Sequence, residues 1–444
     1  MKNKILSVVI FTTLLLAETN VQAASFIDNQ TVDSNKVWTI KFNSEVIFDD
    51  LTKGSILVSD SKGNKVNSGV QIGDNSKEIK VTAPEGGYLP GEKYTLNLGK
   101  NIHSKEGKKL QNESQIHFSI QSRSSNKFLD TKIKSGNLST DYNIDQVLKD
   151  IDKFQLNTLN IPVTIKIEDL TSSNMTVDKE SEERAISLIK ELKGKNINII
   201  LEPYPWIANG SESETKWKPD NINTFFWNWK TNVLKELIDK ILVPYNIDVL
   251  NIGSSFTNME YAEGYWCDTI DYVRSYYNGL VTYRTSWWYK NEDYQSKLNN
   301  KMFSKLDFIS IAAYFELTDK QSNIDTYTVE ELVKAIESTE SYTRRQNVKK
   351  QIEKLHEAWG KPIFFGELGF PKINKASAEP WNPNQDDILN EVEQANCFEA
   401  YKKEFENESW LLGISIFAIG ENSSDKRYYP SEQSALIIKN WYSK

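Results

Sequence analysis

Two cysteines, Cys267 and Cys397, and three histidines, His103, His117 and His356, are all that the 444 residues contain of either type. A disulfide framework is thereby excluded. A histidine-based zinc site or Ser-His-Asp hydrolysis has too little to build on. Basic charge is short as well. The 53 Lys and Arg residues face 61 Asp and Glu, for a net charge of −8. No global basic field exists to neutralise phosphates, so nucleic acid is not an expected partner. No phosphate-binding glycine loop is present, and no metal or cofactor is expected. After the first residues no apolar run approaches the ~20 residues of a membrane span.

What the chain does have is aromatic surface. Aromatic residues make up 11% of it, with 12 Trp. Flat aromatic faces suit the apolar faces of sugars, although large folds bury such residues too.

The start, MKNKILSVVIFTTLLLAETNVQAAS, carries Lys2 and Lys4, an apolar stretch from Ile5 to Ala17, and Val21-Gln22-Ala23 as a small-residue cleavage site. Residues 1–23 read as a secretory signal peptide. The expected location is secreted or extracellular, with cell-surface association as the alternative, and the mature protein is expected to be a monomer without a membrane span.

Residues 25–121 hold short alternating stretches such as VWTIKFN, GSILVSD, KEIKVTAP, KYTLNLG and IHFSI, separated by GNK, PEGG and KEGK. That spacing predicts a small antiparallel β-sandwich. With VWTIKFN, GYLPGEKYTLNLG and SKEGKKL it resembles the bacterial Ig-like modules of surface and secreted proteins, which implies a spacer or binding accessory. The Ser-rich QSRSSNKF predicts a linker over 122–128.

From 129 to 444 the pattern changes. Continuous apolar runs (TKIKSG, TLNIPVTI, NINIILEPYP, IDVLNIG, GLVTYRTSWW, LDFISIAAYF, KPIFFGELGF, LLGISIFAIG) alternate with amphipathic helices such as SEERAISLIKELKGK. Strands buried on both faces and repeated eight times predict an α/β (β/α)8 TIM barrel.

Barrel enzymes carry their reacting groups at the C-terminal ends of the strands. Those ends offer Glu202, Tyr204 and Trp206; Ser254 and Ser255; Arg284, Trp287 and Trp288; Tyr314 and Glu316; Glu367; and Glu421. Carboxylates, aromatics and one arginine point to sugar chemistry. Glu367 stands out, because FFGELGF sets one charge in an apolar strand end, where a carboxylate must be paired or hydrogen-bonded. The alternative is a structural ion pair. A retaining glycosidase needs an ionised carboxylate as nucleophile and a second carboxyl roughly 5–5.5 Å away.

Five stretches carry a resemblance to glycoside hydrolase family 113, a clan A family whose known members are endo-β-mannanases. In order they are EPYPWIANGSESETKWKPDN, VLNIGSSFTNMEYAEGYWCDTIDYVRSYYNGLVTYRTSWW, DFISIAAYFELT, KPIFFGELGF and PWNPNQDDILNEVEQANCFEAY. The resemblance implies Glu367 as nucleophile, Tyr314 as its hydrogen-bond partner and Trp217 as a loop tryptophan. It also exposes a departure. The family's acid/base glutamate at the end of strand four falls on Ser255, and a hydroxyl is too weak an acid to replace it. Ala312 and Phe417-Ala418 depart nearby.

Three accounts follow. Either a relocated acid is supplied by Glu260, or by Glu202 or Glu316; or the substrate needs no protein acid; or the barrel binds glycan without turnover. The favoured reading is hydrolysis of a polysaccharide or cell-wall glycan by Glu367, with Glu260 as acid/base and Tyr314 beside the nucleophile. Glu202, Trp206, Trp217, Ser255, Arg284, Trp287, Trp288 and Glu316 are expected to contact substrate. The alternative is a non-catalytic glycan-binding barrel.

Overall fold

A computed structural model describes residues 21–24, 26–32, 36–84, 87–88, 92–120, 127–192, 194–339 and 345–442. Most of the signal-peptide stretch (1–20) and most of the linker (121–126) lie outside the described residues. The chain divides into two compact units, Met1–Ser125 and Asn126–Lys444.

The first unit has two sheets. One runs in the order Gln30–Val32, Ser114–Ile120, Lys93–Leu98, Ile56–Asp60, Lys65–Val66; the other runs Trp38–Lys41, Glu78–Pro84, Ser68–Ile72. Alternation puts Trp38, Ile40, Ile79 and Val81 of the smaller sheet into one apolar core with Ile56, Leu96, Ile116 and Phe118 of the larger. Val21, assigned above to the signal peptide, is fully buried in this core and bridges Leu110.

The second unit is a closed barrel of eight parallel strands. In order they are Ile133–Leu138, Thr158–Ile167, Asn198–Ile207, Val249–Ser254, Leu280–Ser286, Ile309–Ala312, Ile363–Leu368 and Leu411–Ile419. Strand one pairs with both strand two and strand eight, which closes the ring. The expected strands and the (β/α)8 architecture are all present. Each strand leads to a helix on the outside; after strand one, Ile144–Phe154 is capped by Asn143, whose Oδ1 accepts from the Gln146 N–H at 3.1 Å. Val147, Ile151 and Phe154 then form its buried stripe at helical spacing.

Phe128, Ile133, Ile200, Val249, Leu280, Phe308, Phe364 and Leu412 form a separate apolar cluster at the N-terminal ends of the strands. Phe128 stacks on Phe308 at 5.9 Å. The end of the predicted linker is thus part of the barrel base. Above this plug the interior turns polar, with Ser135, Asn137, Asn160, Glu202 and Arg284 buried there.

Candidate active site

The polar interior is one hydrogen-bonded network. Ser135 Oγ donates to Asn160 Oδ1 at 2.7 Å, and Asn137 Nδ2 donates to Gly366 O and Ser415 Oγ, both at 2.8 Å. Glu202 Oε1 accepts from Asn160 Nδ2 at 2.5 Å, Asn251 Nδ2 at 3.3 Å and Arg284 Nη1 at 2.7 Å. Three N–H donors compensate the cost of a buried carboxylate. Glu202 is therefore a floor residue that positions Arg284.

Arg284 is the pivot. It is 3% exposed, and its second terminal nitrogen, Nη2, meets Glu367 Oε1 at 2.7 Å. Burial opposes its charge, but Glu202 and Glu367 outweigh burial and hold it above the ordinary value. The glycine of FFGELGF makes room for this contact. A Cβ on Gly366 would lie 2.0 Å from Ser310 Oγ and 3.0 Å from Arg284 Cδ.

Glu367 is the penultimate residue of strand seven, with its side chain 19% exposed. Burial pushes its carboxyl up to about 7. Arg284 opposes that rise, Glu202 and Glu214 add to it, and a hydrogen bond with the Tyr314 hydroxyl holds it down. Tyr314 is itself held well above the usual tyrosine value, first by burial and then by the charge of Glu367. It therefore stays a neutral donor at any working pH.

Around this pair stand aromatic rings. Trp287 meets Tyr314 edge to face at 5.5 Å, and Trp381 lies nearly parallel to Trp287 at 6.4 Å and 18°. Trp381 is 43% exposed, and its Nε1–H donates to Glu316 Oε1 at 3.1 Å. Glu316 thus orients a ring at the rim. Phe417 and Tyr428 continue the wall at 5.0 Å from each other. On strand three, alternation carries Glu202, Tyr204 and Trp206 on one face, and Trp206 is half-buried beside Gly210.

Several expected residues lie elsewhere. Glu260 does not reach the cleft. It accepts from Thr285 Oγ1 at 3.0 Å and Tyr283 OH at 3.2 Å, and pairs with Lys297 Nζ at 2.8 Å. Thr285 and Tyr283 flank Arg284 on strand five and face away from the interior, so Glu260 sits behind the barrel wall as an ion pair. Trp217 is fully buried, with its Nε1–H on Ser172 O at 2.9 Å, and Trp288 is 1% exposed, bonding Gln351 Oε1 at 2.8 Å. Neither offers a face to a sugar. Ser255 is 5% exposed at a left-handed φ of +54°, its N–H on Arg284 O at 2.8 Å. At the strand-four end it is Ser254 that joins the interior network, accepting from Asn251 Nδ2 at 2.9 Å.

Two residues were missed. Trp381 is the exposed ring of the cleft wall. Glu214, half-buried on the strand-three loop, lies within electrostatic reach of Arg284 and Glu367, and its carboxyl is pushed up by burial.

The model of Glycoside Hydrolase Family 113 matches residues 130–435, well over half of the chain. The chain belongs to glycoside hydrolase family 113. Among solved structures it is similar to a GH113 beta-1,4-mannanase, at 20% identity and a TM-score of 0.55, over 71% of this chain and 100% of that one. It is also similar to the GH113 beta-mannanase AaManA from Alicyclobacillus acidocaldarius in complex with ManMIm, at 16% identity and 0.55, over 70% and 97%. These likenesses show the shared barrel. Among curated proteins no sequence match was found. Within the family 113 region, Glu367 is a partly exposed carboxyl held by Arg284 and Tyr314 beside aromatic rings.

Proposed function

We propose that the barrel is a retaining β-glycosidase acting on a polysaccharide, with Glu367 as nucleophile. The observation that carries this reading is the grip on Glu367: a guanidinium at 2.7 Å and a neutral phenol donor, with the carboxyl open to the cleft. A carboxylate so held is oriented, ionised above about pH 7, and placed to attack an anomeric carbon. Membership of family 113 supports the reaction class. The names of the similar structures, both mannanases, make β-1,4-mannan the first polymer to test.

Sugar recognition is supported by the Trp287–Trp381 surface. It is supported further by Ser286 Oγ and Trp287 Nε1, buried atoms at the end of strand five without a partner among the described residues. Such atoms call for a hydrogen-bonding guest. Secretion through residues 1–23, a monomeric state and an Ig-like accessory role for residues 25–121 belong to the same proposal.

A second reading has one observation in its favour. Strand four ends in Ser254-Ser255 without a carboxyl, which suits a barrel that binds glycan without cleaving it. Incubating the full chain with β-mannan and mannooligosaccharides, and following the first-formed anomer by NMR, separates the two. Release of β-anomer by the wild type, lost in Glu367→Gln, supports the enzyme. Binding without any product supports the second reading.

A further inference from the structure

Strand four brings no carboxyl to its corner of the cleft, but the neighbouring loop does. After Ile207 the chain leaves strand three, folds back at Gly210 and forms a short 3-10 turn, Glu214–Lys216. Gly210 has a φ of +81°, and a Cβ there would lie 2.4 Å from Trp206 Cζ2, so the tight return requires glycine. The turn is then tied to the strand-four loop. Thr257 Oγ1 donates to Thr215 O at 2.6 Å, and Asn258 Nδ2 donates to Thr215 O at 3.2 Å and Trp217 O at 3.0 Å. The buried Trp217 anchors its far end. Glu214 is thereby held beside the residues that follow Ser255 and Phe256.

We propose that Glu214 is the acid and base of this site, reaching from the strand-three loop into the corner that strand four leaves without a carboxyl. The proposal rests on the glycosidase reading above. Its support is positional first. Glu214 lies in a loop tied down at Thr215 and Trp217, is half-buried, and lies within electrostatic reach of both Arg284 and Glu367. Its chemistry also fits. Burial favours the neutral, proton-carrying form of Glu214, and the charge of Arg284 opposes it only in part. The other carboxyls are less suited. Glu202 lies in the floor under three donors, Glu260 is paired behind the wall, and Glu316 holds Trp381 at the rim. Asp425, after strand eight, also has its carboxyl pushed up by burial and interacts with Tyr204, so it serves as the comparison.

In the first step a Glu367 oxygen bonds to the anomeric carbon. The glycosidic C–O bond breaks, and its electron pair stays on the leaving oxygen, which takes the Glu214 proton. In the second, the Glu214 carboxylate takes a proton from water, whose oxygen bonds to the anomeric carbon as the Glu367 ester bond breaks.

The test compares Glu214→Gln, Glu214→Ala and Asp425→Asn with wild type in the full chain, with thermal unfolding as the control for folding. Substrates are 2,4-dinitrophenyl and 4-methoxyphenyl β-mannobiosides. The proposal expects kcat/KM of Glu214→Gln to fall about 10²- to 10⁴-fold on the methoxyphenyl substrate and less than about 10-fold on the dinitrophenyl one. Azide should raise kcat of Glu214→Ala and give a β-glycosyl azide. Equal losses on both substrates, no loss on the poor leaving group, or the leaving-group-dependent loss appearing in Asp425→Asn instead would overturn it. Wild-type turnover that Glu367→Gln removes and Glu214→Gln leaves intact overturns this inference alone. Absence of wild-type turnover on both substrates overturns the glycosidase reading with it.

Discussion

Replacing Arg284 by Met should destabilise the barrel by an amount that grows with pH. In the native site the guanidinium contacts Glu202 and Glu367 at 2.7 Å each, and Nη1 donates to Gly366 O at 3.3 Å. Methionine fills similar volume but leaves both carboxylates without their cation. Removing one partner of a buried ion pair typically costs about 3–5 kcal/mol. Glu367, already raised by burial, can escape part of that cost by taking up a proton once its opposing cation is gone, so the penalty is small where it is protonated and full where it must ionise. Glu367 already stands near 7 against an ordinary 4.5. The loss should therefore be about 1–2 kcal/mol at pH 5 and about 3–5 kcal/mol at pH 8. Urea unfolding of wild type and variant at both pH values, followed by Trp fluorescence, measures the difference. Every Trp except Trp38 lies in the barrel unit, so the signal reports the right domain. Equal destabilisation at both pH values, or none, would refute the claim that Arg284 compensates these two carboxylates.

Glu367→Gln should stabilise the fold at neutral pH while removing activity. A carboxyl raised above its unfolded value weakens the fold progressively as pH rises from about 4.5 past about 7, so the variant should gain up to about 1–2 kcal/mol at pH 8 and nothing at pH 4, read from unfolding midpoints. For the same reason kcat/KM should rise with pH to a limb near 7, and a limb near 4–5 would contradict the burial of Glu367. Trp381→Ala should raise KM for oligosaccharides while leaving thermal stability within about 0.5 kcal/mol, whereas Trp288→Ala should cost about 3–5 kcal/mol of stability, since one ring is exposed and the other fills the helix layer. Lys297→Met should cost about 3–5 kcal/mol by leaving Glu260 unpaired, with kcat of the folded protein unchanged; a selective loss of kcat would return Glu260 to the mechanism.

The barrel was legible because its strands are buried on both faces and its helices on one, so the hydrophobic pattern changes period at each boundary. Strand-end residues of one parity were equally legible: Glu202, Tyr204 and Trp206 follow from alternation, and Arg284 and Glu367 from a charge in an apolar run. Errors arose where sequence neighbourhood was taken for spatial neighbourhood. Glu260 lies five residues after Ser255, but Phe256 drives into the aromatic cluster of Trp217, Trp229 and Trp266 and turns the chain outward. Trp287 and Trp288 are consecutive, so only one can face the cleft. Glu214 was hidden in GSESETKW, which reads as a solvated acidic loop. Its signals were Gly210, which allows the loop to fold back, and Trp217, which buries the loop's end. Neither discloses on which strand's corner the loop lands.

The central claim, that Glu367 is the nucleophile, is tested most directly by trapping. The full chain is incubated with a 2,4-dinitrophenyl 2-deoxy-2-fluoro-β-mannoside or mannobioside, which forms the glycosyl-enzyme and releases it slowly. Intact-mass and peptide mass spectrometry then locate any adduct. The account predicts stoichiometric labelling within KPIFFGELGF, at Glu367, accompanied by a burst of dinitrophenol and absent from Glu367→Gln. A burst with the label on another carboxyl, or labelling of Glu367→Gln equal to wild type, would contradict it.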